Sequence, residues 1–202
     1  MKHLITTADF SKKTILKVFE DAKKFLKTKP DLILKDKLII TLFFENSTRT
    51  RSSFEVAAKH LGASVIHLDV AKSSTKKGES LLDTATNLDS MGPNAIIVRH
   101  KHSGVPQSIA QHINASILNA GDGAHAHPTQ ALLDLFTIMQ HYPKPEGKRI
   151  AIVGDIKNSR VANSNIELLS RFGLDITLVA PPHFLPKTDL KTSYSLKSVI
   201  DN

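Results

Sequence analysis

The 202-residue chain has no cysteine and no tryptophan, and only 5% of its residues are aromatic. Without cysteine there is no disulfide, no thiolate zinc site and no thiol nucleophile. So few rings build no stacking platform for bases, and no RNA-binding signature occurs. The G-x-G-x-x-G dinucleotide pattern is also missing; Gly154-Asp155-Ile156 after an apolar run is its nearest approach, so no Rossmann cofactor is expected. No run of 18 apolar residues is present, which argues against a membrane-spanning helix. Met1 to Phe10 carries no long apolar stretch of the kind a secretory leader needs, and the expected location is the cytoplasm. Acidic charge is in short supply: 27 Lys and Arg face 19 Asp and Glu, a net charge of +8. Such a balance invites a nucleic-acid partner. Yet many of the lysines (Lys12, Lys13, Lys17, Lys23, Lys24, Lys27, Lys29) are strung along one early segment rather than clustered with aromatics. A small anionic substrate accounts for the basic residues inside motifs, and solubility accounts for the others; neither nucleic acid nor membrane is expected as a partner.

What is present is an ordinary globular composition, 41% hydrophobic and 23% charged. Residues 11–28 place Ile15, Leu16, Val18, Phe19, Ala22, Phe25 and Leu26 on a helical stripe with Ser11 as its cap. Apolar runs at 37–44, 64–68, 94–98 and 115–119 then alternate with helical patterns at 50–61, 79–91 and 105–112. This rhythm predicts a parallel sheet flanked by helices, an α/β fold. His127-Pro128-Thr129-Gln130 opens a further helix over 128–141, with proline at its first position. Tyr142-Pro143-Lys144-Pro145-Glu146-Gly147 breaks it, and a domain boundary is expected there, dividing the chain into 1–143 and 144–202. The second unit reads as strand 149–153, helix 161–172, strand 175–180, then a loop and a helix over 196–201. Two parallel strands with so few helices leave a sheet face uncovered. About 50 residues also hide too little apolar surface to offset chain entropy. The second α/β domain is therefore expected to be incomplete and the chain truncated.

The densest chemistry lies in Glu45-Asn46-Ser47-Thr48-Arg49-Thr50-Arg51, directly between the strand 37–44 and a helix that stops at Gly62. A strand, a hydroxyl-rich turn and a helix start present free N–H groups and the positive end of the helix dipole to an anion. Arg49 and Arg51 add planar, permanently charged forks suited to phosphate. Four other places concentrate reactive groups at the carboxyl ends of strands, the edge where open α/β sheets bind ligands. Ser73-Ser74-Thr75-Lys76-Lys77-Gly78-Glu79 follows the second strand and by itself reads as a solvated loop. Arg99 is the first polar residue after Ile96-Ile97-Val98 and projects at the sheet rim. His127 closes the run Gly121-Asp122-Gly123-Ala124-His125-Ala126-His127, where a structural helix-capping histidine is an equal reading. Arg160 begins the helix of the second unit and would meet a second anion across the gap. His125 and His127 lack a third ligand at matching spacing, so no metal is expected. No Ser-His-Asp order and no paired carboxylates stand at these strand ends. The gathered groups are cationic or hydrogen-bond donating, which suits binding and polarising an anion rather than attack by a protein nucleophile.

Taken together the motifs resemble the aspartate carbamoyltransferases. The matching strings are Phe44 to Arg51 with Ser53-Phe54-Glu55, Lys76-Lys77-Gly78-Glu79, Arg99-His100, Asn119-Ala120-Gly121-Asp122-Gly123, His127-Pro128-Thr129-Gln130 with Leu132-Leu133-Asp134, and Gly154-Asp155 with Ser159-Arg160-Val161-Ala162. They follow the family's order along nearly the whole chain. The ornithine branch shares the Ser-Thr-Arg-Thr-Arg turn, but typically has Cys where Thr129 stands and lacks the Lys-Lys-Gly-Glu loop. The resemblance implies a carbamoyl-phosphate domain followed by an aspartate domain. It implies transfer of a carbamoyl group from carbamoyl phosphate to L-aspartate in pyrimidine biosynthesis, without metal or organic cofactor. It further implies that Ser47, Thr48, Arg49 and Thr50 bind the phosphate, and that Arg99, His127 and Thr50 polarise the carbonyl oxygen. Gln130 would hold the carbamoyl amide and Arg160 an aspartate carboxylate. Lys77, with Ser73, would reach into a neighbouring subunit's site, since the family forms trimers with shared sites; on regulatory chains the sequence is silent. The family's chains continue past the position of Asn202, so the carbamoyl-phosphate half is expected to be intact and turnover impaired; the alternatives are a carbamoyl-phosphate-binding fragment without turnover and an ornithine carbamoyltransferase-like activity.

Overall fold

A computed structural model of the chain describes residues 3–69 and 80–201. The element order is α1 (Lys12–Phe25), β1 (Leu38–Phe43), α2 (Thr48–His60), β2 (Ser64–Asp69), α3 (Leu81–Asp89), β3 (Ala95–His100), α4 (Val105–Ala110), β4 (Ser116–Asp122) and α5 (Pro128–His141). There follow β5 (Arg149–Val153), α6 (Arg160–Arg171), β6 (Asp175–Val179), β7 (Lys191–Ser193) and α7 (Leu196–Ile200), with short 3-10 turns at Thr7–Asp9 and Pro182–Phe184. The parallel α/β architecture expected from the alternating runs is the one observed.

The first sheet has the order β2-β1-β3-β4, and its strand pairs are parallel. Its central strand, Leu38-Ile39-Ile40-Thr41-Leu42-Phe43, is buried from Ile39 onward because helices cover both faces. Ile40, Leu42, Ile96, Val98 and Ile117 pack on one face with α3 and α4; Ile39, Phe43 and Ile97 pack on the other with Ala58 of α2. The N-terminal segment docks on the sheet edge: Leu4 N donates to Ile117 O at 2.8 Å and Asn119 N donates to Leu4 O at 2.9 Å.

The second sheet has three strands, β5-β6-β7, where the sequence led to two. Lys191-Thr192-Ser193 is too short and too polar to read as a strand, yet it pairs in parallel with Thr177-Leu178-Val179. Alternate residues of this sheet face opposite ways. Ile150, Ile152, Ile176 and Leu178 turn towards α5 and α6, in one apolar cluster with Leu4, Ile15, Phe19 and Leu135. Across the other face opens a depression of about 620 Å³, lined in part by Ala151, Thr177, Thr192 and Ile200. The apolar core thus runs continuously across the Tyr142–Gly147 break.

Two local readings change. The α1 stripe is narrower than expected: Ile15 and Phe19 are buried, whereas Leu16, Val18, Phe25 and Leu26 are exposed. And α2 begins at Thr48 rather than Thr50, which makes Ser47 its N-cap residue.

Candidate anion site at the sheet rim

The site is assembled where β1, β3 and β4 end and α2, α5 and α6 begin. In α2 the first i→i−4 bond runs from Arg51 N to Ser47 O. The N–H groups of Thr48, Arg49 and Thr50 therefore precede the helix ladder and are open to an acceptor. Ser47 makes no side-chain capping bond, unlike Ser11, Ser80 and Ser159, whose hydroxyls accept from Thr14, Asp83 and Ala162. Its hydroxyl is left for something outside the helix.

The loop after β4 delivers His127 through a buried polar scaffold. Asp122, wholly buried, accepts from Asn119 Nδ2 at 2.8 Å, Gly104 N at 2.7 Å and Ala126 N at 3.1 Å, and pairs with His125 Nδ1 at 2.9 Å. His127 N donates to Ser164 Oγ of α6 at 2.8 Å, which ties the start of α5 to the second unit. Gly121 is required where it stands. Its φ is +117°, and a Cβ there would lie 3.2 Å from both Arg99 Nη1 and Arg160 Nε. Two guanidiniums pass over a residue with no side chain.

Those guanidiniums meet on one carboxylate. Glu45 Oε1 lies 2.7 Å from Arg99 Nε and 2.5 Å from Arg160 Nη2, and Arg99 Nη1 donates to Ala120 O at 3.1 Å. The Arg99–Glu45 contact is an ion pair without hydrogen-bond alignment. Arg99 Nε has only this carboxylate contact, and Arg160 Nη1 is a buried donor with no hydrogen-bond acceptor. Buried donors of this kind cost free energy unless something accepts from them. Burial, and then the neighbouring Arg160, push the Arg99 guanidinium below its usual pKa. His127, 7% exposed, is held down to about 4, first by burial and then by Arg99 and Arg160. Its imidazole is neutral at pH 7. His100, packed on the Phe44 ring at 4.9 Å, is also lowered, mainly by burial and by His102.

Three adjoining depressions carry the named residues. Arg99, His127 and Arg160 line an open cleft of about 600 Å³ with Gly123, Asp155 and Asn158. His127 also lines a smaller one of about 280 Å³ with Thr50, Thr129 and Gln130. Ser47 and Thr48 line a third of about 190 Å³ with Glu45, Asn46, Arg51 and His67. Arg49 is exposed at the surface of α2 and lines none of these three. Arg51 turns inward instead, with Nη1 2.9 Å from His67 Nε2 and Nε 3.7 Å from Glu55 Oε1. Ser73 and Lys77 lie outside the described residues. The larger depression over the second sheet gathers no comparable set: its Lys191 is already paired with Asp175 at 2.6 Å.

Sequence reasoning did not single out Glu45, Gly121 or Asp134 as members of the site. For Glu45 a signal existed, an acid at a strand end amid cations. Among the described residues no group of three or more His, Asp or Glu side chains is arranged to hold a metal ion, and no helix is long and apolar enough to cross a membrane.

Residues 2–140 match the family model described as aspartate/ornithine carbamoyltransferase, carbamoyl-P binding domain. The chain is 67% identical over 201 residues to a protein named aspartate carbamoyltransferase catalytic subunit from Nitratiruptor sp., covering all of this chain and 69% of that one. It is 63% identical over 203 residues to the namesake from Campylobacter lari, covering all of this chain and 70% of that one. The solved catalytic subunit of aspartate transcarbamoylase from M. jannaschii superposes with a TM-score of 0.87 at 40% identity, over 98% of this chain and 70% of that one. The Trypanosoma cruzi aspartate transcarbamoylase, solved with carbamoyl aspartate and phosphate, superposes with a TM-score of 0.90 at 31% identity, over 100% of this chain and 71% of that one.

Proposed function

The chain belongs to the aspartate/ornithine carbamoyltransferase family, and from that premise we propose that its rim site transfers a carbamoyl group from carbamoyl phosphate to the amine of L-aspartate. The amine nitrogen attacks the carbamoyl carbon, the bond from that carbon to the phosphate oxygen breaks, phosphate leaves with the electron pair, and the nitrogen gives up a proton. The products are N-carbamoyl-L-aspartate and phosphate, and the reading places the protein in the cytoplasm.

The observation that carries this reading is the cleft in which Arg99, His127 and Arg160 converge, with the buried Arg160 Nη1 donor lacking an acceptor. In the proposed arrangement the α2 turn, through Ser47, Thr48 and Thr50, takes the phosphate, and the exposed Arg49 joins them only by turning in from the surface of α2. Arg99, Thr50 and His127 direct donors at the carbonyl oxygen, where negative charge builds as the amine adds. One such donor typically contributes about 10²–10³ in rate. His127 acts as a neutral imidazole in the tautomer that carries its ring proton on Nε2, which leaves Nδ1 to accept from the Thr129 hydroxyl 3.5 Å away. Gln130 holds the carbamoyl amide and Arg160 an aspartate carboxylate. We assign residues 1–143 to the carbamoyl-phosphate side and 144–202 to the aspartate side. A homotrimer in which Ser73 and Lys77 enter a neighbour's site completes the assembly.

Isothermal calorimetry with carbamoyl phosphate, followed by a colorimetric assay for carbamoyl aspartate, tests the reading. Saturable binding plus product formation with aspartate, and none with ornithine, is the expected result. Binding without product leaves only a carbamoyl-phosphate-binding role. No binding removes the site altogether.

A further inference from the structure

On α5, Gln130 does not stand alone. Its Nε2 donates to Asp134 Oδ1 at 2.8 Å, one helical turn along. The other oxygen, Asp134 Oδ2, accepts from Asn165 Nδ2 of α6 at 2.7 Å. The carboxylate is thus clamped between two amides on two helices. Only one assignment of the Gln130 amide is chemically sound here, because a carboxylate accepts and does not donate. The NH₂ end must face Asp134. The Oε1 end is then left over, and among the described residues no donor is hydrogen-bonded to it. Gln130 lines the 280 Å³ depression beside Thr50 and His127.

We infer that Asp134 is a positioning residue that sets the polarity of the Gln130 amide, so that the site offers its substrate a hydrogen-bond acceptor rather than a donor. Resting on the functional reading above, this assigns Asp134 a part in specificity. An acyl phosphate bearing N–H₂ on its carbonyl carbon satisfies Oε1, whereas one bearing a methyl group leaves that oxygen unpaired. Sites built around a substrate N–H reject analogues lacking it for this reason. Asn165 holds the far side of the carboxylate, so the orientation of a residue in the first unit depends on a helix of the second.

The test compares two stable phosphonates that differ only at this point, phosphonoacetamide (NH₂) and acetonylphosphonate (CH₃), by calorimetry. The wild-type chain should prefer the amide by about fivefold, equivalent to about 1 kcal/mol, the net value of one hydrogen bond. Asp134→Ala frees the Gln130 amide to turn, and the preference should fall below about twofold while affinity for inorganic phosphate holds. Asp134→Asn keeps an acceptor oxygen and can be met by Asn165 Oδ1, now buried without a partner, so the preference should return. If the alanine variant does not fold, the double variant Asp134→Ala/Asn165→Ala, which leaves no orphaned amide, takes its place. A fivefold preference that persists in the alanine or double variant overturns the inference and leaves the functional reading intact. A wild-type chain that binds neither phosphonate overturns both.

Discussion

Two residues at the rim make opposite demands on their surroundings. His127 is a base kept from its proton, held to about 4 by burial and two guanidiniums, against about 6.5 in an unfolded chain. Between those values the unfolded state binds a proton that the native state refuses. The resulting stability is fully present above pH 6.5 and is lost as pH falls towards 4, by about 3 kcal/mol in all. Urea unfolding at pH 7, 5.5 and 4.5 should show this slope in the wild type and a shallower one in His127→Gln; parallel curves would contradict it. Gly121 makes the reverse demand, for empty space. In Gly121→Ala the new methyl group would press on Arg99 and Arg160 from a backbone that disfavours it. The expected cost is about 1–3 kcal/mol of stability, with a loss of roughly tenfold in carbamoyl-phosphate affinity by calorimetry, the loss of one charge-assisted hydrogen bond from Arg99. Unchanged affinity would mean that the guanidiniums are not positioned by this close passage.

Among the helices the caps separate structural from functional hydroxyls. Ser11 and Ser80 accept from the backbone at the third helical residue, so replacing either with alanine should cost about 1 kcal/mol. Ser47 caps nothing with its side chain. Ser47→Ala should therefore barely move the urea midpoint while weakening phosphate binding, and a full capping loss without a binding defect would assign it to the helix alone. Much of this was legible beforehand. Leu38 to Phe43 is apolar but for Thr41, as a strand covered on both sides should be, and Pro128 marks the first turn of α5. Lys191-Thr192-Ser193 was not legible, because three polar residues carry no strand pattern of their own and are held extended by pairing with Thr177-Leu178-Val179. Nor was the exchange between Arg49 and Arg51. Both sit in one motif, and only the helix phase sends the second inward to His67 while the first faces solvent. Glu45 passed as part of a string because its partners arrive from β3 and α6, over fifty residues away.

For the molecule as a whole, the decisive feature is the shared apolar cluster. Ile15, Phe19 and Leu135 pack with Leu168, Ile176 and Leu178, so on that side the second sheet is covered in part by α1 and α5 and has no core independent of them. Calorimetric unfolding should accordingly give one transition with matching van't Hoff and calorimetric enthalpies. Two resolved peaks would show that the units melt independently. There is also a matter of order in time. Leu4 and Ile5 dock on β4, through Ile117 and Asn119, and every partner of β1 lies downstream of it. A nascent chain leaving the ribosome therefore carries its first hundred residues without the strand that anchors its beginning. Translation arrested before Leu118 clears the exit tunnel should leave that stretch open to protease, and release past Asp122 should close it.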